Sequence, residues 1–193
     1  METFNSALEV ITTLQDAGYI AYIAGGWVRD YLLHHPSDDI DIATNAPPEI
    51  IQNLFTKTIP VGIQFGIVIV VINNLEFEVA TFRKDLEYQD GRRPSKIEYT
   101  EAEEDAKRRD FTINGLFYDP IEKKLYDFVE GKIDLEKKCI RAISNPHERI
   151  SEDRLRMIRA IRYATRFSFT IEKKTKEAII AHKRELFPSV AVE

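Results

Sequence analysis

Two apolar runs, IVIVVI at 67–72 and LEFEVATF at 75–82, stand on either side of Asn73-Asn74. No other feature restricts the fold as much. β-Branched residues favour strands, and asparagine tolerates the left-handed backbone that a two-residue hairpin turn needs. A β-hairpin is predicted over 67–82. Around it, other elements alternate. Residues 4–17 place Phe4, Leu8, Ile11 and Leu14 at helical spacing and end near Gly18. YIAYIA at 19–24 reads as a short apolar strand that runs into Gly25-Gly26, with a helix over 27–33. DIDIAT alternates polar and apolar, as a half-buried strand does. Pro47-Pro48 opens a helix that reaches Phe55. Residues 83–100 are polar and carry Gly91 and Pro94, so they are predicted to be a long mobile loop. From 146 onward the pattern reads as wholly helical. The boundary falls near 144, giving an α/β head over 1–144 and the start of a helical region over 145–193.

A chain that is 44% hydrophobic and 31% charged can build a core and stay hydrated, and 193 residues suit one domain or one and a half. The net charge of -5 decides nothing about nucleic acid, because a sum hides local patches. Cys139 is the single cysteine, which excludes an internal disulfide and fits a reducing cytosol. METFNSALEV has neither a basic nor an apolar leader segment, and no apolar run is long enough to span a membrane.

The chemistry concentrates in GGWVRDYLLHHPSDDIDIAT, 25–44. Residues i and i+2 of a strand share a face, so Asp39 and Asp41 are expected together, with Ile40 and Ile42 toward the core. Two such carboxylates suit a pair of Mg²⁺ ions that activate a hydroxyl and steady a leaving pyrophosphate; an exposed acidic strand face is the alternative. Asp38 points to the other side. Glu76 and Glu78 repeat the pattern after the hairpin, where one of them can join the aspartates or both can be solvated at an edge. Gly25-Gly26 at a strand-to-helix junction suits a phosphate, with Arg29 one turn on; the alternative is a tight turn with a surface arginine. KRRDFTING, 107–115, combines basic residues with Asp110, Thr112 and Asn114. It suits a triphosphate and ribose, or is a charged helix end with capping residues. In EDRLRMIRAIRYATRF, 152–167, Arg156, Arg159 and Arg162 form a row at i,i+3 spacing, either a solvated basic face or a grip on nucleotide and phosphate backbone. Leu155, Ile158 and Ile161 are expected to face the core.

Taken in order, GGWVRDYLL…DDIDIAT, EFEVATFR, RRDFTING and ERISEDRLRMIRAIRYATRF resemble the bacterial class II tRNA nucleotidyltransferases and the related bacterial poly(A) polymerases. The resemblance implies a nucleotidyltransferase head with a mixed sheet, followed by helical neck, body and tail, of which this chain holds the head and the beginning of the neck. It implies addition of C, C and A to the tRNA 3′ end without a template, from CTP and ATP, with Mg²⁺. Asp39 and Asp41 match the catalytic metal ligands, and Glu78 stands at a third acidic position. Gly26, Arg29 and Arg109 match triphosphate and nucleotide contacts. Asp153, Arg156, Arg159 and Arg162 match the nucleotide-binding helix of the neck, while Asp110 and Asn114 match without an assigned role. Trp27, where a small residue is usual, and His34 and His35, in place of glycine and arginine, depart from the pattern. A poly(A) polymerase, an enzyme adding only CC or only A, and an RNA-binding module with an inert head are the other readings.

Overall fold

At the turn of the predicted hairpin, Asn73 and Asn74 take φ of 54° and 61°, the left-handed pair that joins two twisted antiparallel strands. The structure, a computed structural model, describes residues 2–35, 37–88 and 94–186. In chain order, α1 (Glu2–Asp16), β1 (Ala21–Ala24), α2 (Gly26–Leu32), β2 (Asp41–Thr44) and α3 (Pro48–Leu54) come first. They are followed by β3 (Thr58–Ile59), β4 (Ile67–Ile72), β5 (Leu75–Thr81), β6 (Arg83–Tyr88), β7 (Pro94–Tyr99) and α4 (Ala102–Lys107). Then come β8 (Leu116–Asp119), β9 (Lys124–Asp127), α5 (Gly131–Glu136), β10 (Cys139–Ile140), α6 (Pro146–Glu152), α7 (Leu155–Phe167), β11 (Thr170–Ile171) and α8 (Lys173–His182).

Seven strands form one sheet in the order β3-β4-β5-β2-β1-β8-β9. It is mixed: β2 runs parallel to β5, and the other pairings are antiparallel. Alternation along each strand feeds two cores. Ile23, Ile42, Val68 and Val79 pack against Val10, Ile11 and Leu14 of α1 and Ile51 of α3. Tyr22, Ala24, Ala43 and Phe117 pack on the opposite face against Ala102 and Ala106 of α4. Ile40 and Ile42 are buried, as the alternation predicts. The parallel register Ile42↔Val79 sets Asp41 beside Glu78 on the second face. Among the described residues, no helix is long and apolar enough to cross a membrane.

Three expectations are corrected. Residues 83–88 and 94–99 are strands and not loop: β6 and β7 pair antiparallel, from Arg83↔Tyr99 outward, with a register shift after Asp85. Polarity misleads here because the strands stand off the core and are tied by charge, with Lys84 and Glu98 paired across the ladder at 3.7 Å. Residues 89–93, where the expected mobility centres, lie outside the described residues. The segment after 146 is not wholly helical, since β11 pairs parallel with β10. That pairing spans position 144, and Ile140, Phe111, Ala160 and Tyr163 share one core. The third correction concerns α7. Met157, Ala160 and Tyr163 are buried, together with Arg156, whereas Ile158 and Ile161 are 41% and 54% exposed. Both sets have helical spacing, so periodicity does not choose between them. Phe111, edge-on to Tyr163 at 6.0 Å, and the Arg29 guanidinium above that ring occupy the inward side.

Candidate active site

The ends of β1 and β2, the start of α2, the turn after α4 and the α6–α7 junction meet at one cleft of about 320 Å³. Gly25 makes the geometry possible. Its φ is +67°, and a Cβ there would stand 2.9 Å from Nη1 of Arg109. Only glycine satisfies both demands. Arg109 lies over the Phe117 ring at 4.8 Å and donates to Asp105 at 3.0 Å. Arg108 pairs with the other oxygen of Asp105 at 2.8 Å. Asp105 is buried. Burial works against its charge, but Arg109, Arg108 and the Arg83 backbone N–H together hold its pKa below the ordinary carboxylate value. One hidden carboxylate thus aims two arginines at the cleft. Sequence reasoning passed over Asp105, although its spacing to Arg108 and Arg109 on a helix is i,i+3 and i,i+4.

Asp39 lies just ahead of β2, not within it, so strand periodicity does not by itself place it. Even so, Asp39 and Asp41 line one cavity of about 450 Å³ that adjoins the cleft, and Arg162 lines it too. Asp41 opens to both spaces. Crowding by protein, then Glu78 and Asp39, push its pKa up to about 6 against the pull of Arg109. Glu78, not Glu76, is the glutamate that bears on Asp41.

Arg29 is not a surface arginine. It is 3% exposed, donates to Asp30 at 2.8 Å and Asn114 at 2.6 Å, and lies 5.1 and 4.8 Å from the rings of Tyr163 and Phe167. Asn114 donates to Asp110 at 3.0 Å, and Arg159 donates to Asp110 at 2.7 Å. Arg166 reaches the second oxygen of Asp30 at 3.3 Å. This chain of alternating charges locks α2 to α7 and leaves Gly26 and Arg159 facing the cleft together. Such a buried network holds geometry only when its members are paired, as these are. Asp30 and the linking role of Asn114 were not foreseen; adjacent Arg-Asp in sequence gives no sign of an anchor 85 residues away.

Arg156 is 7% exposed and donates to Glu152 and the Arg149 carbonyl at 2.8 Å and to the Arg108 carbonyl at 3.1 Å. A guanidinium has five N–H donors, so the bonds to these acceptors leave some for a ligand. Asp153 terminates α6 and accepts the Leu155 N–H at 2.9 Å. Both line the cleft, together with Gly26 and Asp41. Arg162 stands over Tyr163 at 5.2 Å, in the adjoining cavity. Gly26 and Asp41 of the head therefore converge with Asp153, Arg156 and Arg159, although more than a hundred positions separate the two groups in sequence, and Arg109 joins them from nearer by. What results is a partly enclosed groove in which Arg108, Arg109, Arg156 and Arg159 stand among Asp41, Asp85, Asp110 and Asp153.

Comparison with known proteins shows what the chain is similar to. The family described as the poly A polymerase head domain matches residues 21–141. The CCA-adding enzyme of Lactobacillus delbrueckii subsp. bulgaricus is 43% identical over 193 residues, covering 100% of this chain and 48% of that protein. That of Enterococcus faecalis is 45% identical over 191 residues, covering 98% and 47%. The crystal structure of the Bacillus stearothermophilus CCA-adding enzyme in complex with CTP superposes with a TM-score of 0.85 at 37% identity, over 94% of this chain and 44% of that one. A tRNA nucleotidyltransferase complexed with a primer tRNA and an incoming ATP analog gives 0.74 at 28% identity, over 91% and 50%. This chain spans about half the length of the curated relatives it matches. With a mixed α/β head of this topology and a match over most of it, the chain belongs to the poly A polymerase head domain family.

Proposed function

We propose that this chain is the nucleotide-binding and catalytic part of a tRNA nucleotidyltransferase, which adds CMP and AMP to the 3′ end of tRNA without a template. One observation carries the reading. The Asp39/Asp41 pair, the Gly25-Gly26 turn, Arg108 and Arg109, and Asp153 and Arg156 border connected space in a chain 43% identical throughout to a CCA-adding enzyme. The head covers residues 1–144 and the helical neck begins at 145, with β10–β11 joining them.

In this reading the Gly25-Gly26 turn lets backbone approach the triphosphate, and Arg109 and Arg108 neutralise it. Arg29 positions the site through Asn114 and Asp30. Asp153 and Arg156 meet the base, with Arg159 beside them and Arg162 toward the RNA strand. The primer 3′ hydroxyl attacks the α-phosphorus, the bond to the bridging oxygen breaks, and pyrophosphate leaves.

Nucleotidyltransferases of this family generally use divalent metals. Among the described residues, no three His, Cys, Asp or Glu side chains converge into a cage. The donors present fit Mg²⁺ nonetheless, because Mg²⁺ is commonly held by one or two carboxylates plus substrate phosphates. Asp39 and Asp41 would hold it, with Glu78 adding charge; burial first, and then Glu78 and Asp39, raise the Asp41 pKa, and a cation would offset the negative charge there. When bound, the ion supplies charge neutralisation at the reacting phosphoryl group and acidifies the hydroxyl.

Incubation with labelled CTP or ATP and a tRNA ending before CCA tests the proposal. Ordered incorporation of C and then A is expected. Long A tracts on unrelated RNA would favour the poly(A) reading, which the family description also suits. No incorporation by the chain or by a protein containing it would contradict transfer altogether.

A further inference from the structure

Beside the groove lies a second cavity of about 490 Å³ with mostly apolar walls. Phe4, Trp27, Tyr31 and Ile40 supply the apolar lining, and Asn5, His35, Ser37 and Asp38 the polar part. Trp27 and Tyr31 are i,i+4 neighbours on α2 and stack at 5.0 Å with planes 9° apart. Phe4 stacks on Trp27 at 5.6 Å, and Tyr118 meets Tyr31 at 5.4 Å. Trp27 is 8% exposed and fixed by donation from its indole N–H to the Ser37 carbonyl at 3.1 Å. Tyr31 is 49% exposed, an aromatic ring held in place at the mouth.

Position in the fold identifies the occupant. Trp27 and Ser37 also line the cavity that holds Asp39, Asp41, Arg162 and Arg166. One space thus carries carboxylates and arginines, and the space sharing its walls carries aromatic rings. A single nucleic-acid strand presents that alternation, phosphates for the arginines and base faces for the rings. The volume falls in the range of small-ligand sites. We propose that this cavity is a stacking subsite for one unpaired nucleobase of the RNA strand whose 3′ end is extended, with Tyr31 its contact and Trp27 the rigid backing. The inference rests on the proposed nucleotidyl transfer to RNA. It gives Trp27 a definite task.

Trp27 is the only tryptophan in this sequence, so its emission reports on the wall that this cavity shares with the carboxylate- and arginine-lined space. The probe is a single-stranded pentaribonucleotide ending in CC, together with a series in which one position at a time is abasic. Binding of the intact oligonucleotide is expected to change Trp27 emission. Tyr31→Ala is expected to weaken binding about tenfold, as loss of one base–aromatic stack does. Tyr31→Phe is expected to restore it, and CTP binding to stay unchanged. One abasic member of the series is expected to bind wild type and Tyr31→Ala equally. If Tyr31→Ala weakens every member to the same degree, or if Trp27 emission and affinity ignore the change while CTP and RNA still bind, the subsite is wrong and the transfer reading stands. If neither CTP nor the oligonucleotide binds, the transfer reading falls and the subsite with it. An emission change that follows protein concentration without RNA would assign the cavity to a second copy and overturn the inference.

Discussion

Replacing Asp41 by alanine is expected to abolish nucleotidyl transfer while leaving CTP binding nearly intact. The separation follows from where the groups lie. The contacts proposed for the triphosphate and base come from Gly25-Gly26, Arg108, Arg109, Asp153 and Arg156, all on other elements. Asp41 lies where the two cavities meet, beside the proposed path of the primer hydroxyl. Cation-assisted charge stabilisation is worth several kcal/mol, so transfer should fall by on the order of a thousandfold. The same carboxylate predicts a pH signature. Its folded pKa, about 6, exceeds the ordinary value of 3.8. Between those values the folded state binds more protons than the unfolded state, so this group's contribution to stability declines as pH rises through the window. Without divalent cations, Asp41→Asn should therefore raise the melting temperature relative to wild type above pH 6 and lose that advantage near pH 4. Scanning calorimetry at both pH values checks the sign. Near-normal transfer by Asp41→Ala would remove Asp41 from the chemistry.

The second large effect concerns base choice. Cytosine offers an amino donor beside a ring acceptor, and so does adenine; uracil and guanine present a carbonyl beside a ring N–H. A carboxylate next to a guanidinium, here Asp153 and Arg156, complements the first pair and opposes the second. Hydrogen bonds involving charged groups contribute roughly 1.5–3 kcal/mol each, so two of them predict discrimination on the order of a hundredfold or more. Asp153→Ala is expected to let UTP and GTP gain on CTP and ATP when all four are compared as substrates. Arg156→Ala should do the same but also lose stability, because it removes one donor each from Glu152 and the carbonyls of Arg149 and Arg108. A proportional loss with all four nucleotides after Asp153→Ala would make the pair structural.

The sequence makes the sheet more legible than the side chains that finish the site. The hairpin at 67–82, the strand-to-helix turn at Gly25 and the Asp41 strand follow from turn chemistry and alternation, which act locally. Residues 83–100 fail that test because cross-strand pairs such as Lys84 with Glu98 are invisible until the two strands meet. The facing of α7 fails for a similar reason. Met157, Ala160 and Tyr163 compete on equal spacing with Leu155, Ile158 and Ile161, and the choice is made by partners far away, Phe111 and Arg29. Asp30, Asp105 and Glu152 read as ordinary charges in sequence. Their importance comes from burial beside arginines, which only the folded chain creates.

The central claim is that the head sheet and α7 build one nucleotide site. Hydrogen exchange during a CTP titration measures it directly. The account predicts that amides at 25–29, 108–110 and 153–159 gain protection together, along one saturation curve with one midpoint. Protection at only one of these segments, or at separate midpoints, would contradict it.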